Sequence, residues 1–141
     1  MPIIEAKYQD VVACILVKKN KILICTRPYP KKFHGYYEFP GGKVSSGEFF
    51  IESLYRELKE ELDVEIDLQK LIFLTNYSIK IRKINLYFFY CTSWKGTISA
   101  KEGQKFKWVK LADLKKHDLL RSNRRLIKFI FNSRYLFPAC Y

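Results

Sequence analysis

The sequence predicts an α/β fold in which a mixed β-sheet is sandwiched between helices. Three observations predict it. Apolar, β-branched runs come in hairpin-like pairs at the front of the chain. Two stretches with helical apolar periodicity lie in the middle and near the end. The chain has 141 residues, 48% of them hydrophobic and 16% aromatic, which suits one domain with one core and argues against disorder.

Each element follows from local pattern. Val11–Lys18 is an apolar run, Lys19-Asn20 a turn, and Lys21–Thr26 the returning strand. Pro28 to Gly35 reads as a loop rich in proline and basic groups. Glu38-Phe39-Pro40 is expected to be extended, since the residue before proline avoids the helical region. Gly41-Gly42 is expected to make a tight turn. Phe50, Leu54, Leu58 and Leu62 recur every fourth residue, which predicts a helix from Glu48 to about Leu62, capped by Ser46 or Gly47. Leu71–Ser78 and Ile84–Thr92 predict strands, the second apolar enough to be central. Gln104–Lys110 predicts another strand and Ala112–Lys116 a helical turn. Ser122–Phe131 predicts a second amphipathic helix, capped by Ser122 or Asn123. Residues 134–141 form an aromatic C-terminal tail on a single domain of residues 1–141.

The formal net charge of +12 points to an anionic partner, whether nucleotide, nucleic acid or acidic membrane surface; a generally basic surface is the plainer reading. Of the four cysteines, Cys14, Cys25 and Cys91 sit in apolar runs and are expected to be buried thiols, while Cys140 is in the tail. None form a CxxC pair, which argues against a zinc site. The chain shows no signal-peptide plan and no uncharged stretch long enough to span a membrane. A cytoplasmic monomer with no membrane partner is the expectation.

Glu57, Glu60 and Glu61 stand at i, i+3 and i+4, positions that share one face of a helix. Like charges there repel unless a cation sits among them. Magnesium and manganese favour carboxylate oxygens and keep water and phosphate as further ligands. An isolated Glu-x-x-Glu-Glu is more often a solvated helix face. Helix geometry also pairs Glu52 with Arg56 at i, i+4, turns Arg56 away from Glu57, and sets Glu48 near the positive end of the helix dipole.

The surrounding spacing changes that balance. Gly42, Glu48, Arg56, Glu57, Leu58, Glu60, Glu61 and Val64 match Gly-x5-Glu-x7-Arg-Glu-U-x-Glu-Glu-x-Gly-U, where U is apolar. This resembles the Nudix hydrolase signature. Asp63 stands where the family has glycine, and aspartate tolerates the left-handed turn required there. The resemblance implies a Nudix fold and cleavage of a nucleoside diphosphate linked to another group. It also implies a Mg2+ cofactor, with Mn2+ as the alternative. Glu57, Glu60, Glu61 and the carbonyl of Gly41 would hold the metal, Arg56 would orient Glu57, and Gly42 and Glu48 would be structural members of the box.

The flanking sequence resembles the MutT branch of that family. Thr26-Arg27, Glu38-Phe39-Pro40-Gly41-Gly42-Lys43, Lys101-Glu102-Gly103-Gln104 and Asn123 match it without gaps from about residue 5 to residue 133. The resemblance implies a substrate-binding set of Arg27, Glu38, Phe39, Pro40, Gly41, Arg82 and Asn123, and adds Glu102 to the catalytic and metal groups. Asn123 carries both a donor and an acceptor for a purine edge, or simply caps its helix. Phe39 offers a surface to a base or belongs to the core. Arg27 and Arg82 offer forked donors to base oxygens or phosphates, and Arg82 otherwise reads as a surface cation. Glu102 joins the metal cluster, takes a proton from water, or is an ordinary loop acid. Lys32 replaces the branch's histidine and His34 lies two residues later, so Lys31 and Lys32 favour a more anionic ligand.

The implied reaction is attack on the β-phosphorus of an oxidised guanine nucleotide, 8-oxo-dGTP, giving the monophosphate and pyrophosphate, with Glu57, Glu60 or Glu102 as base. The alternatives are pyrimidine triphosphates, dinucleoside polyphosphates or the 5′ end of RNA as substrate. A different class of protein, a nucleic-acid-binding module using Trp94 or Trp108, ranks below these, and no stable nucleic-acid partner is expected.

Overall fold

Alternation along the first strand sets the layers. In the computed structural model, which describes residues 7–132, β1 (Gln9–Lys18) sends Val12, Cys14 and Leu16 to one face. There they pack against Leu54, Leu58 and Leu62 of helix α1 (Phe50–Leu62). Ala13, Ile15 and Val17 face the other side, against Leu126, Ile127 and Ile130 of helix α2 (Arg121–Asn132). The remaining strands are β2 (Lys21–Thr26), β3 (Tyr37–Glu38), β4 (Gly41–Lys43), β5 (Glu65–Ile66), β6 (Ile72–Ile79), β7 (Ile84–Cys91), β8 (Trp94–Lys95) and β9 (Phe106–Lys110). A 3-10 turn, Leu111–Lys116, stands where the helical turn was expected.

The main sheet runs β3-β2-β1-β7-β6, with β4 on β1 and β9 on β2; β5 and β8 form a separate ribbon. β1 and β7 are parallel and the other pairs antiparallel, so the sheet is mixed and β7 is central as expected. The edge of β1 away from β7 is shared. β4 takes Val11 to Ala13 and β2 takes Val17 and Lys18. Between them the Cys14 N–H donates to the Pro40 carbonyl at 2.8 Å. Residues 37–43 thus wedge into the gap where β1 and β2 part, which brings them under α1.

Several expectations are corrected. Gly41-Gly42 is strand, not turn, and its glycines answer close approach. A Cβ on Gly41 would lie 2.0 Å from the Val12 carbonyl oxygen. Helix α1 starts at Phe50, so Ser46 and Gly47 do not cap it; the Glu52 carboxylate accepts the Phe49 N–H at 3.2 Å instead. Helix α2 starts at Arg121, which puts Ser122 and Asn123 inside its first turn. Asp63 ends α1 in the left-handed conformation, φ 59° and ψ 38°, as its residue type allows. Cys14, Cys25 and Cys91 are buried free thiols, while Cys140 and the aromatic tail lie outside the described residues. No helix among the described residues is long and apolar enough to cross a membrane.

Candidate active site

The site is organised by Arg56. Its Nε and Nη2 both donate to the Glu48 carboxylate at 2.9 Å. Nη1 donates to Glu57 at 3.0 Å and lies 3.5 Å from Glu60, while Nη2 also reaches the Lys43 carbonyl at 3.2 Å. The expected Glu52–Arg56 pair does not form, and Arg56 does not turn away from Glu57. The Glu48 carboxylate also collects the Ser53 hydroxyl at 2.7 Å and the Ser45 N–H at 3.1 Å, which hold it in place for Arg56, while Glu52 is taken by the Phe49 N–H. The Arg56 and Ser53 hydrogen bonds hold the Glu48 pKa down at about 2. Glu48 precedes the helix and anchors the arginine.

Glu57 is pressed between that arginine and β4. A Cβ on Gly42 would lie 2.2 Å from the Glu57 carboxyl carbon, so only glycine leaves room for the acid. Burial raises the Glu57 pKa against the pull of Arg56. One turn on, Glu61 Oε2 accepts the Gly41 N–H at 3.3 Å. Burial first, then the charges of Glu38 and Glu102, push the Glu61 pKa up to about 8. Gln104, only 5% exposed, ties the Glu102 loop to the end of α1: its Nε2 donates to the Glu61 carbonyl and its Oε1 accepts the Glu102 N–H, both at 2.9 Å. Sequence reasoning made Gln104 the first residue of a strand and the last of the Lys101–Gln104 match, with no tether role; the strand begins at Phe106, which frees the Gln104 side chain for these bonds.

These residues fit a divalent cation that takes part of its coordination from substrate. Among the described residues no three ligating side chains converge into a ready-made cage. Glu60, 55% exposed, is drawn aside to Arg56 rather than standing with Glu57 and Glu61. Beyond burial, the charges of Glu60 and Glu102 raise the Glu57 pKa, and those of Glu38, Glu102 and Glu57 raise that of Glu61, so carboxylates gather here closely enough to repel. A few carboxylates with open positions is the donor set magnesium uses beside phosphate. Ladder alternation supplies one more donor. Cys14 and Pro40 form a hydrogen-bonded pair, so Gly41, one step on, turns its N–H and C=O away from β1 and toward α1.

Beside this cluster opens a cleft of about 880 Å³ whose lining includes Arg27, Lys32, Arg82, Arg121, Ser122 and Arg125. Arg27 donates to Glu38 at 3.0 Å and to the Lys32 carbonyl at 2.8 Å. Burial raises the Glu38 pKa, opposed by Arg27. Arg82 is exposed, yet it lines the cleft and donates to the Ser122 hydroxyl at 3.1 Å, with partial desolvation and the nearby Arg27 lowering its pKa. Asn123 is 5% exposed; its Oδ1 accepts the Phe39 N–H at 2.9 Å and its Nδ2 faces Ser122 Oγ at 3.3 Å. That fixes the amide's orientation, since only the oxygen can accept from a backbone N–H. Phe39 is 3% exposed and packs edge-on to Phe88, so its ring is core and not a platform for a base. Pro40 is buried too. Lys32 lines the cleft, whereas His34 is not among the lining residues and packs on Tyr29.

Carboxylates gathered around one guanidinium, linked through the Arg27–Glu38 pair to a cleft lined by further guanidinium groups, define a protein that handles phosphorylated ligands. The NUDIX domain family model matches residues 7–130, and the chain belongs to that family. It is 42% identical over 121 residues to the 8-oxo-dGTP diphosphatase of Buchnera aphidicola subsp. Schizaphis graminum, covering 86% of this chain and 92% of that protein. It is 30% identical over 133 residues to the CTP pyrophosphohydrolase of Escherichia coli K12, covering 94% and 98%. Among solved structures, one from a study of MutT from Aliivibrio salmonicida and Vibrio cholerae superposes with a TM-score of 0.79 at 30% identity, covering 89% of this chain and 98% of that one. The E. coli ORF135 protein superposes at 0.80 with 29% identity, covering 94% and 95%.

Proposed function

We propose that the protein, acting as a single-domain monomer in the cytoplasm, hydrolyses 8-oxo-dGTP to 8-oxo-dGMP and pyrophosphate and so clears oxidised guanine from the nucleotide pool. Mg2+ is the cofactor, with Mn2+ as the alternative. The observation that carries the reading is Glu57, fixed between Arg56 and Gly42 and within reach of the Glu102 charge, with Glu38 between the neighbouring Glu61 and Arg27 of the cleft. The 8-oxo-dGTP diphosphatase at 42% identity supports the substrate.

When bound, the cation neutralises phosphate oxygens and makes a water nucleophilic. Glu57, Glu61 and the Gly41 carbonyl would hold it, with Glu60 and Glu102 completing the set. Burial and the charges of Glu38 and Glu102 make the Glu61 carboxylate costly to keep ionised by itself, a cost that a bound cation would relieve. Arg56 keeps the Glu57 carboxylate in one orientation throughout. Glu57 and Glu60 both lie on Arg56, whereas Glu102 makes no ion pair among the described residues, which supports Glu102 as the base that takes the proton of the attacking water. The bond from the β-phosphorus to the bridging oxygen breaks and leaves the monophosphate in the cleft. Arg27 and Arg82 orient nucleotide oxygens there, and the Asn123 amide N–H reads the base edge.

The CTP pyrophosphohydrolase relative favours a second reading, pyrimidine triphosphates. Product analysis on 8-oxo-dGTP, dGTP and CTP with magnesium separates the two. Higher kcat/KM for 8-oxo-dGTP supports the first, and preference for CTP overturns it.

A further inference from the structure

At the far end of the sheet from the cleft, the strands line up lysines. Lys18 pairs directly with Lys21, and Lys21 pairs directly with Lys110. Such partners share a face of the sheet, where like charges destabilise it. All three are exposed, as is Lys19 in the turn between β1 and β2. Lys19 takes a φ of 50° and Asn20 one of 64°, a turn that favours glycine and asparagine over lysine. Positive charge is thus placed here twice against local preference. Among the described residues none of these lysines has a carboxylate within ion-pair distance.

The row has aromatic neighbours. Trp108, opposite Leu23, lies two residues before Lys110 and so on the same face. It stacks on Trp94 with ring centroids 6.1 Å apart and planes 12° from parallel, and both rings are half-buried. The carboxylate of the adjoining ribbon, Glu65, is taken by the Tyr55 hydroxyl at 2.8 Å and faces Lys95 across the strands. From the row to Thr26 beside the cleft, β2 covers roughly 17 Å at about 3.3 Å per residue. None of the exposed large hydrophobic side chains lies in the row or its turn, so nothing there would insert into a bilayer. A single line of cations next to stacked indoles matches a strand that alternates phosphates and flat bases.

We propose that Lys18, Lys19, Lys21 and Lys110, with the Trp94–Trp108 pair, form a second ligand surface that binds single-stranded nucleic acid through its phosphate backbone, separately from the nucleotide cleft. Contacts this few make the binding weak and sensitive to salt.

Trp94 and Trp108 are the two tryptophans of the chain, so intrinsic fluorescence reads this surface. The full chain is titrated in metal-free buffer with oligothymidylate of about 15 nucleotides. Saturable quenching is expected, with an affinity that falls as salt rises. K18Q/K21Q/K110Q is expected to bind at least about tenfold more weakly at low salt, with the log–log salt slope smaller by about 2. Its 8-oxo-dGTP turnover should be unchanged, and its Tm equal or higher because like charges are relieved. The proposal is overturned if the wild type shows no quenching, if the triple variant binds like the wild type, or if R121Q/R125Q in the cleft abolishes binding instead. A lower Tm in the triple variant overturns it too, since the lysines would then be structural. A chain that hydrolysed no nucleotide yet bound oligothymidylate through these lysines would refute the proposed reaction and leave this surface standing.

Discussion

The acidic end of α1 and the cationic wall of the cleft are neighbours built on opposite plans. At the acidic end almost every polar atom has a named holder. Glu48 takes four donors, Arg56 spans three carboxylates, and a glycine is spent on giving Glu57 room. In the cleft, guanidinium groups from separate elements line an open volume, with two bonds on Arg27, one on Arg82 and a ring contact to Tyr77 on Arg125. The difference separates reaction from selection. Groups that must meet a reacting phosphate to within an ångström are pinned by several bonds. Groups that choose among ligands need charge and shape more than a fixed position. Changes at the acidic end should therefore strike kcat, and changes in the cleft should redistribute substrates.

The largest effect expected is from Glu57→Gln, which keeps shape and removes charge. Steady-state kinetics should show kcat down on the order of a thousandfold, the scale of a lost electrostatic group, with Tm near that of the parent. A loss below tenfold would break the contrast. Gly42→Ala comes next. Its Cβ would occupy the place of the Glu57 carboxyl, which Arg56 prevents from swinging clear. A fall in kcat of about a hundredfold is expected from a displacement of this size, and unchanged kcat would show that the acid is free to move.

On the cleft side, Asn123→Asp keeps an oxygen for the Phe39 N–H and removes the amide donor. The kcat/KM ratio of 8-oxo-dGTP to dGTP should fall by about tenfold or more, the worth of a buried hydrogen bond to the substrate, with little change for generic triphosphates. A ratio that stays put would remove Asn123 from base reading and leave it as a brace for β3 and β4.

The smallest effect concerns Glu48, whose folded-state pKa of about 2 lies below its ordinary value of 4.5. A depressed carboxyl adds stability above its ordinary pKa and loses it as pH falls through the folded value. Wild type should thus exceed Glu48→Gln in Tm by a constant margin above about pH 5, and the margin should vanish between about pH 4.5 and pH 2. Thermal melts across pH test this, and a margin that grew toward low pH would contradict the assignment.

Legibility in the sequence follows the same divide. Glu48, Arg56, Glu57, Glu60 and Glu61 fall within fourteen consecutive positions, so the resemblance to the family signature exposed them together. What spacing misjudged was partner choice. Helix periodicity favoured Glu52 for Arg56, but Glu48, outside the helix, is held facing it by Ser45 and Ser53. The long strands were readable from their apolar runs and Asp63 from its tolerance of the left-handed turn, whereas β4 was read as a turn and the two-residue β5 and β8 were too short to leave a pattern. The cleft was harder because its walls come from the loop after β2, the end of β6, the turn before β7 and the start of α2, which only tertiary packing brings together. Phe39 shows the limit: the motif placed it at the site, and only the packed structure shows that its ring belongs to Phe88 and its N–H to Asn123.

The most direct measurement is the product of 8-oxo-dGTP hydrolysis by the purified full chain with magnesium, read by chromatography beside dGTP. The expected result is 8-oxo-dGMP and pyrophosphate in equal amounts, formed at a higher kcat/KM than dGMP from dGTP. Release of inorganic phosphate in place of pyrophosphate, or no turnover of either nucleotide, would contradict the account.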